Sequence, residues 1–111
     1  MLVSYAGDWT VLLDEKARIV FELGSSDALF GGEAGTSSIG KRITAFVHRE
    51  DMELAGDMMA DSLSQVGSFV TFEIRAGLGE ERYRIVDVLA VNCFHNQSLN
   101  GVILRVMGRG A

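Results

Sequence analysis

Phe46–Asp51 reads FVHRED, and the reading of this stretch decides how the middle of the chain folds. A histidine beside an arginine, a glutamate and an aspartate has the residue types of a catalytic or metal cluster. A zinc site needs three or four ligands converging at about 2.0–2.3 Å. His48, Glu50 and Asp51 are too close in sequence to converge unaided, and the other histidine, His95, lies far along the chain. General acid–base work would need a partner that tunes His48, and the sequence specifies none. Glu50, Asp51 and Glu53 instead put negative charge where a helix begins, against its free N–H groups and the positive end of its dipole. FVHRED is therefore read as helix initiation.

The helix that follows starts near His48. Met52, Ala55, Met59 and Leu63 recur at helical spacing and make one apolar stripe, with Glu53, Asp57, Asp61 and Ser64 pointing elsewhere. Gly67 is a natural stop. Gly56 inside the helix costs about 1 kcal/mol relative to alanine, so this helix depends on tertiary packing.

Strand patterns lie on either side. WTVLLD (Trp9–Asp14) places Trp9, Val11 and Leu13 on one face, and the tetrad Asp14–Ala17 is a polar turn. RIVFEL (Arg18–Leu23) has period two, with Ile19, Phe21 and Leu23 on one side and Arg18, Val20 and Glu22 on the other. Gly24 ends that strand, and Ser25 and Ser26 can cap a short helical turn through Phe30. GGEAGTSSIG (31–40) is loop with room for one helical turn. After the long helix, SFVTFEIRA alternates Val70, Phe72 and Ile74 against Phe69, Thr71, Glu73 and Arg75. The turn GLGEE, the long run RYRIVDVLAVNCF, the turn HNQSLNG and the strand VILRVM complete the chain. Two strands, short helices, one longer helix and three strands predict an α+β domain, with helices on one face of a single antiparallel sheet.

Composition bounds the function. The 111 residues, 48% of them hydrophobic, suit one domain with one core: an amino-terminal segment over 1–8 and a core over 9–108. The net charge of −5 with scattered Lys and Arg argues against nucleic acid or an anionic membrane as a partner. Cys93 is the only cysteine, which fits a reducing cytoplasm. No apolar run approaches the ~20 residues that cross a bilayer, and MLVSYAGDWT lacks the layout of a secretory signal.

Three other stretches have chemical readings. GTSSIGKR (Gly35–Arg42) nearly fits a phosphate-cradling loop, but Arg42 stands where the magnesium-binding hydroxyl belongs and no strand leads into Gly35. Cys93 sits in a strand-like run two residues before His95, so the two would share a face in an ideal strand. A small buried or edge cysteine is the simpler reading. Met52, Met58 and Met59 make a soft apolar surface, suited either to core packing or to the wall of an adaptable pocket. No nucleophile–base–orienter set is visible, and the chain is not expected to be an enzyme.

Taken together, the motifs resemble a PAS domain of bacterial signalling proteins over nearly the whole chain. RIVFELGSSDALFG is similar to that family's second strand and following helix, with Arg18, Ile19 and Gly31 in frame. GKRITAFVHRED resembles its G-k-x-x-x-d-l-v-H-P-E-D segment through Gly40, Lys41, Val47, His48, Glu50 and Asp51. FEIRAGLGEERYRIVDVLAVN is similar to its E-x-R strand, turn and long strand through Glu73, Arg75, Tyr83, Arg84 and Asn92. Arg49 replaces the usual proline, Leu23 stands where asparagine is frequent, and the Asp-Ile-Thr signature after the last strand is absent.

The resemblance implies a PAS-like five-stranded antiparallel sheet with short helices and one longer helix packed on one face. It also implies a sensory or regulatory role coupled to an attached or partner output domain of kinase or cyclase type. A pocket between helices and sheet would be walled by Phe30, Ile43, Phe46, Met59 and Phe72. Neither the flavin motif nor a haem-placed histidine is present, so no flavin or haem is expected, and a small organic ligand or none remains. The alternative is a ligand-free homodimerisation or docking module that uses the outer sheet face and the apolar Leu2, Val3, Tyr5 and Trp9.

Overall fold

A computed structural model describes residues 8–24, 26–30, 37–77 and 83–108. Expectations for residues 1–7, Ser25, the glycine-rich 31–36, the 78–82 turn and 109–111 lie outside the described residues. The described elements are β1 (Trp9–Leu13), β2 (Ile19–Gly24), α1 (Ser26–Phe30), 3-10 turns at Ile43–Phe46 and Arg49–Asp51, α2 (Met52–Leu63), β3 (Phe69–Gly77), β4 (Tyr83–Asn92) and β5 (Val102–Gly108). The strands form one antiparallel sheet in the order β2-β1-β5-β4-β3. The α+β class with one antiparallel sheet and a single longer helix is therefore observed.

One face of the sheet carries the core. Trp9, Val11, Leu13, Val86, Val88, Ala90, Val102, Leu104 and Val106 alternate along their strands and are buried, together with Leu29 from α1 and Phe46. Alternation in β1 and β3 follows the pattern read from the sequence, because side chains alternate faces along a strand. The β1–β2 turn closes without glycine: Asp14 Oδ1 accepts from the backbone N–H groups of Lys16 (2.8 Å) and Arg18 (2.9 Å). Ala17 takes the left-handed φ of 61° that the turn requires. Those bonds, the Arg18 amide first, hold the Asp14 carboxyl below its ordinary pKa.

The facing of β2 departs from its sequence pattern. Leu13 pairs with Ile19 but Leu12 pairs with Phe21, so Val20 is an extra residue, a β-bulge. Ile19 is fully buried, yet beyond the bulge the alternation is reversed: Phe21 and Leu23 are 53% and 59% exposed, not on the face of Ile19. Glu22 instead lies opposite Val11 on the core side. Its carboxylate accepts from Trp9 Nε1 (3.1 Å) through one oxygen, and from the Ser38 N–H (2.9 Å) and Ser37 Oγ (3.1 Å) through the other. The polar residue turns inward because it satisfies a buried indole N–H and a loop amide.

The strand analysis generates a test that simple periodicity would predict the other way round. Glu22→Leu adds an apolar residue yet leaves the Trp9 and Ser38 donors without an acceptor, so it should cost roughly 1–3 kcal/mol. Phe21→Thr removes an apolar residue and should stay within about 0.5 kcal/mol. Urea unfolding of both variants at low protein concentration checks this.

Candidate functional site

α2 lies over the core face but is fastened mainly at its two ends. At its start, FVHRED is helix initiation, achieved differently from the dipole argument. His48 supplies the cap, its Nδ1 accepting from the Glu50 N–H at 3.0 Å, and α2 itself begins only at Met52 after the 3-10 turn. Asp51 makes no side-chain cap bond. Its carboxylate is turned to β3, where it accepts from the Arg75 backbone N–H (2.7 Å), Nε (3.0 Å) and Nη2 (3.0 Å). Arg75 Nη1 also reaches Glu50 at 3.2 Å, and the Arg75 carbonyl accepts from the His48 N–H at 2.9 Å. Val47 bridges to Ala76, and the His48 ring meets Tyr83 edge-on at 4.4 Å.

The Arg75 side-chain hydrogen bonds, followed by its backbone N–H, lower the Asp51 pKa to about 2, and the same pairing raises that of Arg75. A carboxyl with a depressed native pKa stabilises the fold above its unfolded value, about 3.9, and loses that stabilisation as pH falls through the native value.

The far end of α2 is tied by Asn92, which is buried at the end of β4. Asn92 Nδ2 donates to the Gln65 carbonyl (3.0 Å), its N–H to the Ser68 carbonyl (3.0 Å), and its own carbonyl accepts from Gly67 (3.1 Å). Its Oδ1 accepts from Phe94 N–H at 3.1 Å. Every polar group of the residue is used, as burial requires. α2 stops at Leu63, capped at Ser64, four residues before the stop expected at Gly67, whose positive φ of 80° belongs to the turn that leads into β3.

Between these anchorages the helix closes on the sheet only in part, Met59 packing against the core and Ala55 half-buried. Ser62 is its buried residue, held by a bond from its Oγ to the Met59 carbonyl at 2.7 Å. Met52 and Leu63, at the ends of the apolar stripe, remain 39% and 48% exposed. Beneath the stripe lie two hollows. The inner one, about 40 Å³, has apolar residues alone on its walls, and Phe30, Ile43, Phe46, Met59 and Phe72 are all among them. The structure thus brings the five sequence-derived pocket residues to one cavity. Trp9, missed as a wall, closes its end: its ring meets Phe46 at 4.9 Å and Phe30 at 6.1 Å, both edge-on. The signal was present, since Trp9 heads the alternating face of β1, but its aim depends on Glu22.

The outer hollow, about 230 Å³, runs from the α2 stripe to the β1–β2 turn. Met52, Gly56 and Leu63 form one wall, Leu13 and Val102 the floor, and Asp14, Glu15 and Thr44 a polar rim. Ile43, Val47, Ala55 and Met59 line both hollows and form the partition between them. The inner hollow is lined by apolar residues alone, so an apolar group placed there is removed from water at a gain. Such a space takes an apolar group in preference to water, which needs polar partners.

The remaining candidates are not assembled into sites. β4 ends at Asn92, so Cys93 lies beyond the strand, buried, while His95 is exposed in the following turn, and the shared face expected of them does not exist. Of GTSSIGKR, Ser37–Arg42 are described: Gly40 makes a turn with φ 91°, and the segment runs along β2, Ile19 donating to the Lys41 carbonyl at 2.9 Å. Among the described residues no three His, Cys, Asp or Glu converge as a metal-ion site, and no helix is long and apolar enough to cross a membrane. No protein-family model matches the chain, and no curated protein is similar enough to be matched.

Asp51→Asn should lower the melting temperature at pH 7. The gap from the unsubstituted protein should shrink as pH falls from about 4 toward 2, because the native carboxylate is lost over that interval. Circular-dichroism melts across pH measure it; a gap independent of pH would deny Asp51 this role.

Proposed function

We propose that the chain is a sensory or regulatory module of the PAS type its motifs resemble, and that it takes a small, predominantly apolar organic molecule beneath α2. One observation carries the reading: an apolar hollow roofed by a helix that is anchored at both ends and only partly packed along its stripe. Two strands, short helices, a longer helix and three strands in one antiparallel sheet agree with the layout the resemblance implies. The outer hollow is slightly smaller than the ~300–1,000 Å³ of ordinary ligand sites, and movement of Met59 would join it to the inner one. Met59 suits that role, because an unbranched thioether repacks at little cost.

Binding would favour one packing of α2 over another, and the effect is bounded by the ligand's differential affinity for the two. Asp51–Arg75 and Asn92 would carry the change into β3 and β4, and the sheet would pass it to an attached output domain of kinase or cyclase type. No catalytic step is assigned to the module, and neither flavin nor haem is proposed as its ligand.

Thermal melts with a panel of small apolar and amphipathic metabolites test the reading. A ligand at a hundred times its Kd should add about 2.7 kcal/mol. Ala55→Leu projects into the partition between both hollows and should abolish that gain while leaving the unliganded melting temperature equal or higher. A flat response to the whole panel, with no molecule co-purifying by mass spectrometry, would overturn the proposal.

A further inference from the structure

The outer hollow beneath α2 is not chemically uniform. Its floor and helix wall are apolar, and its polar side chains are those of Asp14, Glu15 and Thr44. The Ile43 N–H donates to the Ala17 carbonyl at 2.9 Å, which sets the 3-10 turn carrying Thr44 against the β1–β2 turn carrying both acids. Two carboxylates and a hydroxyl therefore share one end of an otherwise apolar space. Among the described residues that line it there is no Lys, Arg or His. Lys16 and Arg18 belong to the same turn but are exposed and are not on the wall. The acids also have unused capacity. Asp14 Oδ1 takes the Lys16 and Arg18 amides, which leaves Oδ2 without a hydrogen-bond partner among the described residues. The Glu15 carboxylate and the Thr44 hydroxyl have none there either.

We infer that the occupant of this hollow is an alkylamine, its chain on the apolar wall and its ammonium group at the Asp14–Glu15–Thr44 rim. The inference rests on the reading of the hollow as a ligand site and names the chemistry of what fills it. An ammonium group carries N–H donors and no acceptor, and the rim offers it two anions and a hydroxyl oxygen. A carboxylate on the same chain would bring a like charge to the rim, and to a protein of net charge −5. An alcohol brings no charge to complement the acids. Each methylene moved from water onto the wall should tighten binding about fourfold. An exposed ion pair is worth only a few-fold. The chain therefore supplies the affinity and the rim selects the head group.

Titration of the isotope-labelled protein with n-hexylamine, n-hexanol and n-hexanoate, followed by amide NMR shifts, tests it. At about pH 7 the amine is a cation and the acid an anion. The amine should bind roughly tenfold more tightly than the acid at about 0.05 M salt, with a smaller margin at about 0.5 M. The shifts should centre on Ala17, Gly56 and Phe94, which line the hollow. Glu15→Lys, at an exposed turn position, should bring amine and acid to within about twofold while the circular-dichroism spectrum stays unchanged. Asp61→Lys makes the same change in net charge on the far side of α2, two positions from both Met59 and Leu63, and should keep the preference. Hexanol or hexanoate binding as tightly as hexylamine would overturn the inference. So would an amine preference that Asp61→Lys removes as fully as Glu15→Lys, because net charge alone would then explain it. Absence of hexylamine binding also overturns it, whereas the ligand site itself stands or falls separately, on the wider metabolite panel.

Discussion

Val20 has no partner on β1, and that one unpaired residue reverses the facing of everything after it in β2. Without the bulge, Phe21 and Leu23 would follow Ile19 toward the core and Glu22 would face out. With it, a carboxylate reaches the indole N–H of Trp9 and the amide of Ser38, while two large apolar side chains go to the opposite face. Both surfaces of the sheet are decided at this point. On the inside, Glu22 holds the Trp9 ring where it closes the cavity with Phe30 and Phe46. On the outside, Phe21 lies beside its pair Leu12.

α2 illustrates how an amphipathic helix can be stable without burying its stripe fully. Its Gly56 weakens it, and its apolar residues face space that the chain leaves open. The deficit is met at the ends. Charge-assisted bonds between Asp51 and Arg75 hold the start, and the buried side-chain amide of Asn92, bonded through both Nδ2 and Oδ1, holds the finish. Bonds to ionised groups are worth about twice neutral ones, so a few suffice. A helix held in this way can shift in its middle while its ends keep register with β3 and β4, the mechanical behaviour the proposed ligand response needs.

The legibility of the site varied with the range of the interaction that made it. Two of the five pocket residues sit on the apolar side of a local pattern, Met59 at helical spacing and Phe72 at strand spacing, whereas Phe30, Ile43 and Phe46 were expected there from the family layout alone. The Asp51–Arg75 tie was not legible: 24 positions separate the two residues, and the helix-start argument already gave Asp51 a local use. His48 was placed correctly at the start of the helix, but its role as the acceptor that caps Glu50 requires a ring orientation no local pattern specifies. Cys93 and His95 looked paired because strand geometry was extended past Asn92, where the chain in fact turns.

By itself the sequence determined the number and order of the strands along the chain, the position of the long helix, the net negative charge and the apolar alternation of β1 and β3. All of these follow from spacing within a few residues, where backbone geometry alone sets which side chains share a face. Only the tertiary structure decided which way β2 faces past Val20, that Glu22 belongs to the core, and that α2 is tied at its ends and hollow beneath. Those outcomes depend on which strand lies opposite, and pairing between distant segments is settled by the packing of the whole sheet.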